Sequence, residues 1–195
     1  MRDQTDEELM RAYQAGEEQA FRILFDRYSL RLSRLLRRHI WAEDDCRELV
    51  QQTFLHLHRA RHDFREGAIL RPWLYTICLN LKREYVRKKI RRPEAPLELD
   101  GRSDPIAHPH DAERLERIRQ LRHAVARLPE AQRSVIELHW FHDLPFAEVA
   151  QVLGASVTAV KVRAHRGYKK IKTLLEQEER NLSSAARVLQ PGVDR

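Results

Sequence analysis

The chain has 195 residues, a third of them charged, and a formal net charge of +7. Glycine is scarce and helical spacing outweighs β-branched alternation, so an all-α fold is expected. No apolar run reaches the roughly 18 residues of a membrane span, and the opening, rich in Asp3, Asp6, Glu7 and Glu8, is too acidic for a secretory signal; both point to a cytoplasmic protein with no membrane insertion.

In chain order, Thr5 and Glu8 stand at capping-box spacing, which predicts a short helix to about Ala15, ended by Gly16. A second helix follows from near Glu17 to about Arg38, with Phe21, Leu24, Phe25, Tyr28, Leu32 and Leu35 on one face. Cys46, Leu49, Val50, Thr53, Phe54 and Leu57 mark a third, from about Glu43 to Arg61. Residues 62–71 read as a loop, and Pro72 suits the first turn of the helix after it. That helix buries Leu74, Ile77, Cys78, Leu81 and Tyr85 and ends in a run of Arg and Lys to Arg92. Cys46 and Cys78 read as small buried hydrophobes of a reducing compartment.

Residues 93–111 break the helical pattern. They hold four of the eight prolines and five acidic against one basic side chain, which predicts an extended, flexible linker and a domain boundary. Residues 1–92 carry 20 basic and 14 acidic side chains, and residues 112–175 carry 12 and 6. Two basic blocks flanking an acidic strap suggest that both touch one polyanion. Helical spacing resumes at Leu115, Ile118, Leu121, Val125 and Leu128, and Pro129 opens a further helix through Leu138. Residues 176–195 form a polar tail with no assigned role.

The most specific local pattern runs from Phe146 to His165, FAEVAQVLGASVTAVKVRAH. Ala150 is small where two helices cross, Gly154 can take a positive φ in the turn, and Ser156 can cap the second helix. Val149, Leu153 and Val160 are placed to hold the helices together. The second helix then offers Ser156, Thr158, Lys161, Arg163, His165, Arg166 and Lys169 to a major groove. This is a helix-turn-helix, with its early residues suited to base edges and the later cations to phosphates.

Taken alone, a helix-turn-helix also fits a dimeric DNA-binding regulator. The N-terminal half narrows the choice. Residues 16–28 (GEEQAFRILFDRY), 48–57 (ELVQQTFLHL) and 72–87 (PWLYTICLNLKREYVR) resemble, in order, the first conserved domain of extracytoplasmic-function RNA polymerase sigma factors. Residues 128–166 resemble that family's second domain, and the likeness covers about residues 5–175. Glu48 stands where the family usually has aspartate, Gln52 where it often has an acid, and Pro145 where serine is common.

The resemblance implies a two-domain helical protein: a sigma domain 2-like bundle over 1–92 and a sigma domain 4-like helix-turn-helix domain over 112–175. It implies that Glu48, Leu49, Gln51, Gln52 and Phe54 bind a coiled coil on the largest subunit of core RNA polymerase. The second domain would meet the polymerase flap, and the linker would thread near the RNA exit path. It implies that Phe64, Arg65, Arg71, Trp73, Tyr75, Asn80, Lys82, Arg83, Tyr85, Arg87 and Lys88 melt the −10 promoter element, trapping a flipped base in the 62–71 loop. The aromatic and cationic mix suits that task, although Trp73 and Tyr75 also fit a core, and Asn80 can serve DNA or the neighbouring loop. The helix after Ser156 would read the −35 element as duplex. An anti-sigma factor is an expected partner.

His56, His58 and His62 do not converge on a metal: only His58 and His62 share a helix face, without a third ligand. His108 and His110 fall in the linker. No phosphate loop, zincin helix or nucleophile elbow is present. The sequence therefore predicts no catalytic residue, no cofactor, no metal and no small-molecule substrate. No motif supports an RNA-binding adaptor.

Overall fold

Every described element is helical: eight α-helices, a short 3-10 turn and a π turn. The structure, a computed structural model, describes residues 3–40, 42–91 and 112–188. The expected linker, with its prolines, His108 and His110, lies outside those residues, as does Arg92. The chain divides into two units, one of residues 1–100 with 144–157 and one of residues 101–143 with 158–195.

The first unit is built on α1 (Asp6–Gln14), α2 (Glu18–Arg37), α3 (Glu43–Arg59) and α4 (Leu70–Arg91), joined by α7 (Phe146–Leu153). The capping box forms as the sequence predicts: the Glu8 amide donates to the Thr5 hydroxyl, and the Thr5 amide donates to the Glu8 carboxylate. Asp6 then accepts from Arg27 at 2.8 Å and from the Tyr28 hydroxyl, tying α1 to α2. On α2 the buried positions Ala20, Leu24, Tyr28, Leu32 and Leu35 recur at three and four. The helix α4 is different. It buries Leu70, Leu74, Cys78 and Leu81, and beside them Tyr75, Leu79 and Lys82, because α1, α2, α3 and α7 all pack against it. Both cysteines are buried and free, and burial pushes the Cys78 thiol up to about 12.

The second unit comprises α5 (Ala112–Ala126), α6 (Glu130–Ile136), a π turn over Glu137–Phe141, and α8 (Val157–Val188). Its core gathers Ala124, Val125, Leu128, Ile136, Ile171 and Leu174. Pro129 caps α6 rather than lying inside it. The helix α8 runs well past Leu175, where apolar periodicity ends. Residues 176–188 contain no glycine or proline, so nothing stops the helix, and Glu178 ties it to His123 of α5 at 3.1 Å and to Arg127 just after α5 at 3.5 Å.

Candidate nucleic-acid interface

The α7 helix ends where the sequence places the turn. Gly154 sits at φ 59°, ψ 41°, and its amide closes the helix onto the Ala150 and Gln151 carbonyls. Left-handed backbone costs any residue with a Cβ, which is why glycine belongs there. Val149, Ala150 and Val160 are buried as expected; Leu153 is partly so.

The following helix, α8, has a buried stripe and an exposed face that carries Val157, Val162 and Tyr168 beside its polar residues. Val160, Ala164, Gly167, Ile171 and Leu174 form a buried stripe at intervals of four and three. Thr158, Lys161, His165, Arg166 and Lys169 are exposed, Arg163 is half-buried, and Ser156 is exposed just before the helix. The stripe explains a glycine that the helix-turn-helix pattern does not require. A Cβ on Gly167 would lie 3.3 Å from Ile136 Cγ1 and 3.6 Å from Gln132 Cβ, so α8 lies close on α6 at that point. Trp140, which no motif singles out, is exposed, and its indole donates to the Tyr168 hydroxyl at 2.7 Å.

In the first unit, the residues expected to meet the polymerase separate by burial. Glu48 and Gln51 are exposed, and Gln52 is half-buried, donating to Glu48 at 2.8 Å. Leu49 and Phe54 are core. Phe54 meets Phe21 edge-on with ring centres 5.9 Å apart and Phe25 at 4.7 Å. They hold α3 against α2, and Leu55 on the same helix is exposed.

The residues expected on single-stranded DNA divide in the same way. Tyr75 is fully buried and Lys82 nearly so, so neither is offered to a ligand here. Phe64 is buried against Trp73, ring centres 5.4 Å apart, and Trp73 remains half-buried. Phe64 is thus the loop's anchor in the core, not a free stacking ring. Tyr85 is half-buried and donates to Asp45 at 2.5 Å; burial, with that bond, raises its pKa. Arg65, Asn80, Arg83, Arg87 and Lys88 are exposed; Asn80 accepts from Arg83 at 2.8 Å, and Lys88 pairs with Glu84 at 2.9 Å. Arg71 is engaged within its own unit: its Nε and a terminal nitrogen donate to the two Glu148 oxygens, each at 2.7 Å. No local pattern signals this pair, since its members lie 77 positions apart.

Between α3 and α4 a 3-10 turn at Arg61–Asp63 leads into a loop with Gly67 at φ 75°. Arg65, Glu66 and Ile69 are exposed along it. What remains open to a ligand is a lip and helix face carrying Arg65, Trp73, Asn80, Arg83, Arg87 and Lys88. This mix of cations with the half-buried Trp73 ring suits phosphates and an unstacked base. Among the described residues no cluster of His, Cys, Asp or Glu is arranged to hold a metal, and no helix is long and apolar enough to cross a membrane.

Residues 24–92 match the family model for Sigma-70 region 2, and residues 118–171 match that for Sigma-70, region 4. The chain is 33% identical over 175 residues to the RNA polymerase sigma factor CarQ of Myxococcus xanthus, covering 87% of this chain and 97% of that protein. It is 28% identical over 172 residues to the ECF RNA polymerase sigma-E factor of Escherichia coli K12, covering 83% and 90%. Among solved structures it is similar to CnrH in complex with the cytosolic domain of CnrY, with a TM-score of 0.67 and 30% identity over 88% of this chain and 97% of the other. It shares its fold with the sigma factor RpoE bound to the anti-sigma factor NepR from Bartonella quintana, with a TM-score of 0.63 and 19% identity over 80% and 96%.

Proposed function

This chain belongs to the RNA polymerase sigma factors of the extracytoplasmic-function group and directs promoter-specific initiation of transcription by RNA polymerase, and we propose how its residues divide that work. Residues 1–92 seat the protein on core polymerase through Glu48, Gln51 and Gln52. The 61–70 loop and the outer face of α4 engage the −10 element as it opens, with Arg65, Trp73, Asn80, Arg83, Arg87 and Lys88 meeting single-stranded DNA. Residues 112–175 read the −35 element as duplex through Ser156, Thr158, Lys161 and Arg163, while His165, Arg166 and Lys169 hold phosphates. The linker over 93–111 sets the spacing between the two. The polymerase supplies the chemistry; this chain supplies recognition, works in the cytoplasm, and is held in check by an anti-sigma factor, the class of partner that RpoE meets in NepR.

The observation that carries the reading is the buried stripe of α8 and, opposite it, the exposed cations Lys161, Arg166 and Lys169, directly after a left-handed glycine turn. A solvated face would tolerate any polar residue. A groove-reading face needs donors near the start of the helix and cations along it. Run-off transcription tests it: Lys161→Ala with Arg163→Ala should weaken recognition by about 1–3 kcal/mol for each base-edge interaction removed, and only on templates with an intact upstream element. Unchanged transcription would remove α8 from promoter recognition.

A further inference from the structure

We infer that α1 is the positioning element of the 61–70 loop, with Gln14 and Glu7 holding its two ends. This rests on the reading that the loop engages an unpaired base. The Gln14 side-chain nitrogen donates to the Arg61 carbonyl at 2.7 Å and to the Phe64 carbonyl at 3.1 Å. An amide nitrogen has two hydrogens, so both are committed to the loop's first end. At the other end the Leu70 amide donates to a Glu7 carboxylate oxygen at 3.1 Å. Leu70 opens α4, where the first amides lack partners within the helix and favour a negative charge. Glu7 therefore caps α4 from a distance of 63 positions in sequence.

The platform that makes these bonds is itself fixed. The capping box closes the start of α1. Leu9 and Met10 are fully buried. Asp6 is bonded to Arg27 and Tyr28 of α2, and the Tyr13 hydroxyl hydrogen-bonds with His58 Nδ1 of α3. With Arg61, Phe64 and Leu70 pinned, and Phe64 further seated on Trp73, only residues 65–69 form a lip. That lip has its own internal tie, the Ala68 amide on the Arg65 carbonyl at 3.1 Å. A base leaving the stack gives up a few kcal/mol, and a pocket returns this selectively only if its walls already stand in place. Gln14 and Glu7 meet that need through backbone atoms, so neither touches DNA.

The test uses the full chain bound to core polymerase. Gln14→Met keeps the length of the side chain and removes both donors. Glu7→Leu removes the cap of Leu70, and Glu7→Gln keeps an oxygen there. Each holoenzyme is given promoters carrying every base at each non-template position of the downstream element, with a fluorescent base analogue reporting extrusion. Core affinity and dependence on the upstream element are measured alongside. Gln14→Met and Glu7→Leu should reduce discrimination at the extruded position by about tenfold or more, with core affinity and upstream dependence within about twofold of the parent; Glu7→Gln should recover most of the discrimination. Retained discrimination in both variants overturns the proposal, as does an equal fall in all three readouts, which would mark a merely structural helix. If the parent holoenzyme shows no base preference there, and Arg65→Ala changes nothing, the loop's engagement with DNA fails and the positioning role falls with it.

Discussion

Phe54 distinguishes a core residue from a polymerase-binding one, and the two roles predict opposite results for one substitution. The side chain is 2% exposed and sits between Phe21 and Phe25. Truncating a buried phenylalanine costs about 3–5 kcal/mol, so Phe54→Ala should move the urea midpoint of the first unit down by about 2 M at a slope of roughly 2 kcal/mol/M. Phe54→Leu keeps most of the apolar volume and gives up two ring pairs, each worth roughly 0.5–1.5 kcal/mol, for a cost of about 1–3 kcal/mol. At a temperature where Phe54→Leu is fully folded, its affinity for core polymerase should match the parent. Glu48→Arg should behave in the reverse sense, keeping its midpoint while no longer co-eluting with core. A Phe54→Leu protein as stable as the parent but about tenfold weaker on polymerase would refute the burial argument and return the ring to the interface.

Two further outcomes follow from the geometry. Gly154→Ala places a Cβ that meets nothing within 4 Å, at a φ of 59°; the cost is conformational alone, about 1–2 kcal/mol, read as a lower melting temperature, and an unchanged melt contradicts the left-handed turn. For Arg71 and Glu148, a double-mutant cycle to alanine in denaturant should give a coupling of about 1–2 kcal/mol, because exposures of 24% and 11% place the pair between an open surface pair and a buried one; a coupling near zero would rule out the pairing.

The helices are legible in sequence where burial imposes a period. The α2 stripe, the capping box at Thr5 and the glycine turn at 154 all follow from local rules, and each stands where the residues place it. The polar course of α8 beyond Leu175 is not legible, because a solvated helix leaves no apolar rhythm to read. Site residues are harder for a related reason. Aromatic and cationic side chains look alike in sequence whether they face DNA or a core. Tyr75 turns inward because α4 is covered by neighbours on more than one side, and Phe64 because the loop before α4 folds its ring onto Trp73, both facts of tertiary packing. Gln14, Glu7 and Glu148 act over 47 to 77 positions, and nothing in their immediate neighbours marks them.

This chain confers promoter choice on a polymerase that lacks it. Purified core enzyme should be offered a library of DNA templates with and without the chain, and the transcript starts sequenced. New starts should appear, dependent on the chain, each preceded by two separated sequence elements. A chain that leaves the start sites of the core enzyme unchanged, while binding paired half-sites tightly by itself, would contradict it.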